Sequence, residues 1–364
     1  MISLEATLAD VRPLDEGSMG AARDRLDRLT KPPGSLGRLE EIVVWLAGVT
    51  GTPAPPVEPR RIVVAAADHG VAMRHAVSAW PSDVTAQMVA TFVAGRAAIS
   101  TLGAAARASI VVLDVGVATA IPNAGPAVRT AGSSGVARLV SNRIGPGTAD
   151  MTAGPAMTRD QALAAIGVGL TAAADAVTDG VALLGLGDMG IGNTTSASAI
   201  VAALTGRPAA EVTGRGTGLN DAAWRRKIDA VNLALAVNRP DRDDPIGVLA
   251  AVGGFEIGAI VGTIAGAAAN PLPVVLDGFI TGSAALVACA LQPAIGPRLV
   301  AGHRSVEPGH AITLDHLGLR PLLELDMRLG EGTGAALAMQ LIGAAAAARD
   351  GMATFDEAAV SDRR

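Results

Sequence analysis

Tyrosine is absent from this 364-residue sequence, cysteine occurs once, and lysine is found only at Lys31 and Lys227. The lone Cys289 lies in an apolar run and cannot form an intrachain disulfide, which fits a reducing compartment and a small buried side chain. Neither lysine follows a glycine, so the phosphate-binding G-x-x-x-x-G-K-[ST] loop is excluded. Basic excess is lacking too: the formal net charge of -5 argues against a nucleic-acid binder. No G-x-S-x-G turn offers a hydrolase nucleophile, and His303, His310 and His316 show no recognised zinc spacing, so no metal is expected. The N-terminus has no basic stretch leading into an apolar core, which leaves the cytoplasm as the expected location.

Aromatic residues make up 2% of a chain that is 50% hydrophobic, so the apolar mass is mainly Ala, Val, Leu and Ile. Ile257 to Leu276 and Gly278 to Pro297 each carry no charge over roughly the 20 residues that span a bilayer. Pro271, Pro273 and Pro293 interrupt them and Asp277 separates them. Each therefore reads as a helix followed by a shorter extended piece, and no membrane span is expected.

Residues 1–60 read as helical, with Ala21 to Leu29 and Leu36 to Ala47 joined by the stiff loop Thr30-Lys31-Pro32-Pro33-Gly34-Ser35. After a proline-rich linker, Arg61 to Ala67 reads as a buried strand ending at Asp68-His69-Gly70. His69 is either a ligand-facing residue or a loop histidine making a local hydrogen bond. Ser109 to Val115 and Val181 to Leu184 are further strands, and Leu276-Asp277-Gly278-Phe279 closes another. Residues 119–160 read as a long surface connection with ligand contacts, and Gly247 to Ala269 as one helix carrying Glu256. Strands ending in acidic or glycine-rich turns and alternating with helices imply an α/β fold: a mainly parallel, Rossmann-like sheet flanked by helices, with a smaller helical subdomain. The expected division is 1–60 in that subdomain, 61–330 as the α/β core, and 331–364 as a catalytic loop, a helix packing on the subdomain and a polar tail.

Gly185-Leu186-Gly187-Asp188-Met189-Gly190-Ile191-Gly192-Asn193-Thr194-Thr195-Ser196 is an anion-site candidate, since glycines free backbone N–H groups and a helix N-terminus follows. Gly185, Gly187 and Gly190 also satisfy G-x-G-x-x-G, which keeps an NAD-dependent oxidoreductase open as the alternative. The acidic residue such a site needs would be Glu211, which does not end a strand. A second glycine turn, Gly214-Arg215-Gly216-Thr217-Gly218, precedes a helix bearing Arg225, Arg226 and Lys227. It reads either as a phosphate seat or as a turn before a solvated basic face. Glu331, between Gly330 and Gly332 and ahead of an alanine-rich helix, is the candidate general base. The plainer reading makes it a first-turn residue complementing that helix's dipole.

These motifs, together with Asp68-His69-Gly70-Val71, Gly253-Gly254-Phe255-Glu256 and Arg328-Leu329-Gly330-Glu331-Gly332-Thr333-Gly334, occur in one order. The chain thereby resembles the nicotinate-nucleotide:dimethylbenzimidazole phosphoribosyltransferases of cobalamin nucleotide-loop assembly, from about residue 30 to about residue 340. The resemblance implies transfer of a phosphoribosyl group from nicotinate mononucleotide to 5,6-dimethylbenzimidazole by a homodimer without a cofactor. Because the departing nicotinate nitrogen is a pyridinium, its departure neutralises charge and needs no metal. Glu331 is implied as the base. Asp188, Gly190, Gly192, Asn193, Gly216, Lys227 and Ser305 are implied at the mononucleotide, and Trp80, Gln87 and Leu329 at the benzimidazole. Asp188 stands where many relatives have glutamate, and Trp80 where a tyrosine is familiar. The alanine- and glycine-rich stretch Ile257 to Ala269 is a candidate dimer surface.

Overall fold

A computed structural model describes residues 2–122, 137–216 and 218–361. Thr217, part of the 119–160 connection and the last three residues of the polar tail lie outside the described residues. The chain opens with helices α1 (Leu4–Ala9), α2 (Glu16–Arg28) and α3 (Arg38–Thr50), then β1 (Arg60–Ala67), α4 (Gly70–His75), α5 (Val84–Val93), α6 (Ala98–Ala105), β2 (Ala108–Gly116) and β3 (Ala137–Ser141). The second half runs α7 (Arg159–Thr178), β4 (Leu183–Met189), α8 (Asn193–Thr205), α9 (Ala209–Val212), α10 (Asp221–Asn238), α11 (Pro245–Val252) and α12 (Phe255–Ala268). It ends with β5 (Val274–Leu276), α13 (Phe279–Leu291), β6 (Leu299–Ala301), α14 (Pro308–Leu317) and α15 (Thr333–Gly351).

All strand pairs are parallel, in the order β3-β2-β1-β4-β5-β6. The order reverses between β1 and β4, and in such sheets the ligand crevice opens beyond the carboxyl ends of the strands on either side of that reversal. One face of the sheet packs on α7, α8, α12 and α13, whose side chains form one apolar cluster. The other packs on α2, α3, α5, α6 and α15. Helices α2, α3 and α15 thus share one layer, with antiparallel pairing of Leu29 and Thr354 beyond the ends of α2 and α15. Lys31 is buried and ion-paired to Glu40 at 2.8 Å, which fixes the proline loop before α3.

Three sequence expectations change. Gly253-Gly254 breaks the expected 247–269 helix into α11 and α12, and β3 lies unforeseen within the 119–160 connection. Every residue of α12 is buried, so this helix is a core element rather than a dimer surface. Small residues explain its position: a Cβ at Gly169 or Gly262 would overlap the backbone of the facing helix, so α7 and α12 touch backbone to backbone. The two uncharged runs become α12 with β5 and α13 with a short 3₁₀ turn at Pro293–Arg298. By length and hydropathy alone Val84–Ala105 and Arg159–Thr178 reach spanning size; the first is two helices, α5 and α6, and the second is α7 against α12.

Candidate active site

Carboxylates gather at the carboxyl ends of the strands. Asp188 ends β4, Asp277 follows β5, and Glu256 and Glu331 approach from α12 and from the loop before α15; all four are nearly or fully buried. Among the described residues no group of three or more such ligands is placed to hold a metal ion. Their effect is electrostatic. Burial, then the charges of Asp277 and Glu256, raise the Asp188 pKa well above the ordinary range, with Asn193 opposing and Glu331 adding to the rise.

Glu331 is 5% exposed and adopts a left-handed backbone (φ 64°) between Gly330 (φ 82°) and Gly332 (φ 91°). A non-glycine residue there costs about 1–3 kcal/mol, strain typical of functional loops. Contacts hold it in place. The Glu331 N–H donates to the Asp188 carbonyl at 3.3 Å, and the Ile99 N–H, at the start of α6, donates to Glu331 Oε2 at 3.4 Å. The carboxylate therefore faces the N-terminus of α6 rather than that of its own helix. The α15 N-terminus is taken by Asp277: Oδ1 accepts from Gly334 (2.7 Å) and Ala335 (3.1 Å), and Oδ2 from Gly332 (3.0 Å). Burial raises the Glu331 pKa, Ile99 opposes, and Asp277 adds to the rise. A stronger base results.

Gly185 and Gly187 are not part of a phosphate-binding turn, because β4 extends through them to Met189. A Cβ at Gly187 would lie 2.5 Å from the Glu331 carbonyl, and one at Gly185 would lie 2.8 Å from the Met339 methyl on α15. These glycines admit the loop and helix that carry the candidate base. The dinucleotide reading loses its motif, and the first βα turn of the sheet, Asp68-His69-Gly70, has no G-x-G-x-x-G either.

The structure brings the expected mononucleotide residues together in two clusters. In one, Asn193 Nδ2 donates to Asp188 Oδ2 at 2.9 Å beside the turn holding Gly190 and Gly192, and the Ile191 N–H donates to Thr85 Oγ1 of α5 at 3.1 Å. In the other, Lys227 is fully buried, with Nζ donating to Thr194 Oγ1 (2.8 Å) and the Gly214 carbonyl (3.2 Å). Gly216 stands beside it in a left-handed turn (φ 54°). Burial depresses the Lys227 pKa to about 8, although Glu307 nearby pulls it upward. Arg225 and Arg226 point to solvent, so that helix has one inward cation and a solvated outer face. Ser305 is buried in the loop after β6, and its N–H donates to His310 Nδ1 at 2.9 Å.

The residues expected at the benzimidazole are the exposed ones. Trp80 is 54% and Leu329 51% exposed, and Gln87 lies on the solvent side of α5. Leu329 adjoins Gly330, where a Cβ would come within 3.3 Å of Asp188 Oδ2. The helix that carries Gln87, α5, is tied to the Gly190–Gly192 turn through Thr85.

The sequence left His69 open between two readings and gave Glu256 and Asp277 no role. His69 is buried, with Nε2 2.6 Å from Glu256 Oε1 and Nδ1 3.0 Å from Ser196 Oγ, so neither bond is local. Burial would lower the His69 pKa, but the charge and hydrogen bond of Glu256 and the charge of Asp68 outweigh it and the net shift is upward. Glu256, a lone charge in an apolar run, was the available signal. Asp277 had only its strand-end position to mark it.

A phosphoribosyltransferase family model matches residues 11–360. The chain is 52% identical to the nicotinate-nucleotide–dimethylbenzimidazole phosphoribosyltransferase of Chloroflexus aggregans, over 100% of this chain and 99% of that protein. It is 49% identical to the protein of the same name from Salinispora tropica, over 99% of this chain and 100% of that one. The crystal structure of CobT from Thermus thermophilus superimposes with a TM-score of 0.88 at 47% identity, covering 95% of this chain and 100% of that chain. On full-length identity and fold alike, this chain belongs to the nicotinate-nucleotide–dimethylbenzimidazole phosphoribosyltransferase family.

Proposed function

We propose that the chain transfers the phosphoribosyl group of nicotinate mononucleotide to 5,6-dimethylbenzimidazole, giving α-ribazole 5′-phosphate and nicotinate for cobalamin nucleotide-loop assembly. The supporting observation is Glu331: a buried, strained carboxylate of raised basicity, clamped to the end of β4 beside Asp188. The C–N bond to nicotinate breaks with its electron pair going to the pyridinium nitrogen. One benzimidazole nitrogen attacks C1′ from the opposite face, inverting it, and the N–H proton on the other nitrogen passes to Glu331. General-base help of this kind is worth about 10² to 10⁴ in rate.

In this reading the phosphate and ribose meet Gly190, Gly192, Asn193, Gly216, Lys227 and Ser305, with Asp188 at the junction to the base site. The exposed Trp80, Gln87 and Leu329 cover the benzimidazole. The enzyme works in the cytoplasm as a homodimer whose interface excludes α12; light scattering reads the mass directly. The functional test supplies wild type and Glu331→Gln with both substrates and follows α-ribazole 5′-phosphate by chromatography. Product from wild type alone supports the assignment and the base; equal product from both removes Glu331 from the mechanism, and none from folded wild type rejects this substrate pair.

A further inference from the structure

Glu307 precedes α14 at its N-cap position, is 5% exposed, and does not cap its own helix. Its carboxylate reaches across to the Gly214–Gly218 turn, where Oε1 accepts the Gly216 N–H at 2.9 Å. Oε2 is buried with no hydrogen-bond partner among the described residues. It lies so close to Gly214 that a Cβ there would overlap it. Lys227 Nζ, bonded to Thr194 and to the Gly214 carbonyl of the same turn, feels the charge of Glu307. Ser305, two residues upstream, accepts the Glu307 N–H through Oγ at 3.4 Å. One carboxylate thus sits among three residues assigned to the substrate phosphate, and it makes the Gly216 contact that a phosphate oxygen would make.

We infer that Glu307 is the resident anion of the phosphate seat: it occupies the Gly216 N–H and balances Lys227 until a phosphomonoester displaces it. This rests on the assignment of Gly216, Lys227 and Ser305 to the mononucleotide. Two anions do not share one buried cation and one N–H without strong repulsion, because the local dielectric screens them poorly. Glu307 is suited to yielding, since one of its oxygens is desolvated and unpaired among the described residues. A phosphate brings more acceptor oxygens and more charge to the same donors. A nucleoside lacking the phosphate has nothing to exchange for the carboxylate, so Glu307 selects for the phosphorylated substrate.

The experiment measures inorganic phosphate binding by calorimetry in wild type and Glu307→Gln, beside the KM for nicotinate mononucleotide. The variant keeps an acceptor for Gly216 and removes the competing charge. Phosphate should bind about tenfold more tightly to the variant, and the KM should fall with it. Unchanged or weaker phosphate binding overturns the inference. A raised KM overturns it too, because Glu307 would then contact the substrate itself. Should the variant not fold, hydrogen exchange of the wild-type protein decides: saturating phosphate should alter exchange across residues 305–310 as Glu307 withdraws, and binding without that change refutes the exchange of anions. Wild-type turnover with both substrates tests the transferase assignment independently of either result.

Discussion

Gly187 in β4 supports Glu331 directly: a Cβ added at Gly187 would lie 2.5 Å from both the carbonyl carbon and the carbonyl oxygen of Glu331. The position of the candidate base therefore depends on a missing side chain in the central sheet. Gly187→Ala should push the loop off β4 and misplace the carboxylate. Misplacement by about 1 Å costs on the order of 10²-fold in rate. The expected result is a fall in kcat of that order with circular dichroism unchanged; wild-type kcat in a folded variant refutes the coupling.

In the proposed mechanism the Glu331 carboxylate has to be ionised to accept the proton, and its pKa is raised by burial and by Asp277. The acid limb of the pH–rate profile should therefore lie above the ordinary glutamate range. Asp277→Asn removes the added charge and sets an amide against the N–H groups of Gly332, Gly334 and Ala335. We expect kcat to drop roughly tenfold, as for loss of a charged hydrogen bond, and the acid limb to move to lower pH. A purely structural role would lower kcat and leave the limb in place.

In the proposed site Lys227 attracts phosphate only while protonated, and its pKa is depressed by burial to about 8. As pH rises through that value Lys227 loses the charge, so the KM for nicotinate mononucleotide should climb. Lys227→Met should raise that KM by about 10- to 100-fold at pH 7, the worth of a charged hydrogen bond, and flatten its dependence on pH. Steady-state kinetics from pH 7 to 9.5 supplies both readings, and a wild-type KM constant across that range contradicts the prediction.

Asp188 binds its proton more tightly in the folded chain than in the unfolded one. The unfolded state releases that proton first as pH rises, so stability falls from the ordinary aspartate pKa upward through the raised folded value. Asp188→Asn removes this penalty while keeping an oxygen for Asn193. Melting temperature at pH 8 should rise by roughly 2–4 °C over wild type, with the difference vanishing near pH 4. A variant less stable at pH 8 would show that Asp188 is held by interactions needing its charge.

Much of the fold was legible because each strand is a short apolar run stopped by an acidic or glycine-rich turn, and those boundaries are local. β1, β2 and β5 fell close to where the pattern put them, whereas β4 starts two residues later than expected and runs five further, to Met189. Gly185 and Gly187 were misleading because a glycine required by helix–strand contact looks the same in sequence as one required by a phosphate. The helix expected over 247–269 failed at Gly253-Gly254, where the chain runs extended and the missing side chain of Gly254 leaves room for Glu256 to meet His69.

The sequence by itself determined the parallel α/β class, the family, and the candidacy of Glu331, since ordered motifs and period-specific patterns are properties of neighbours along the chain. Only the tertiary structure decided what gives Glu331 its basicity. Its own helix N-terminus, the local choice, is occupied by Asp277 from fifty-five or so residues away, and the carboxylate is instead buried against α6 and beside like charge. Electrostatic energy depends on distance in space and on the exclusion of water, and neither is written in the spacing of residues along the chain.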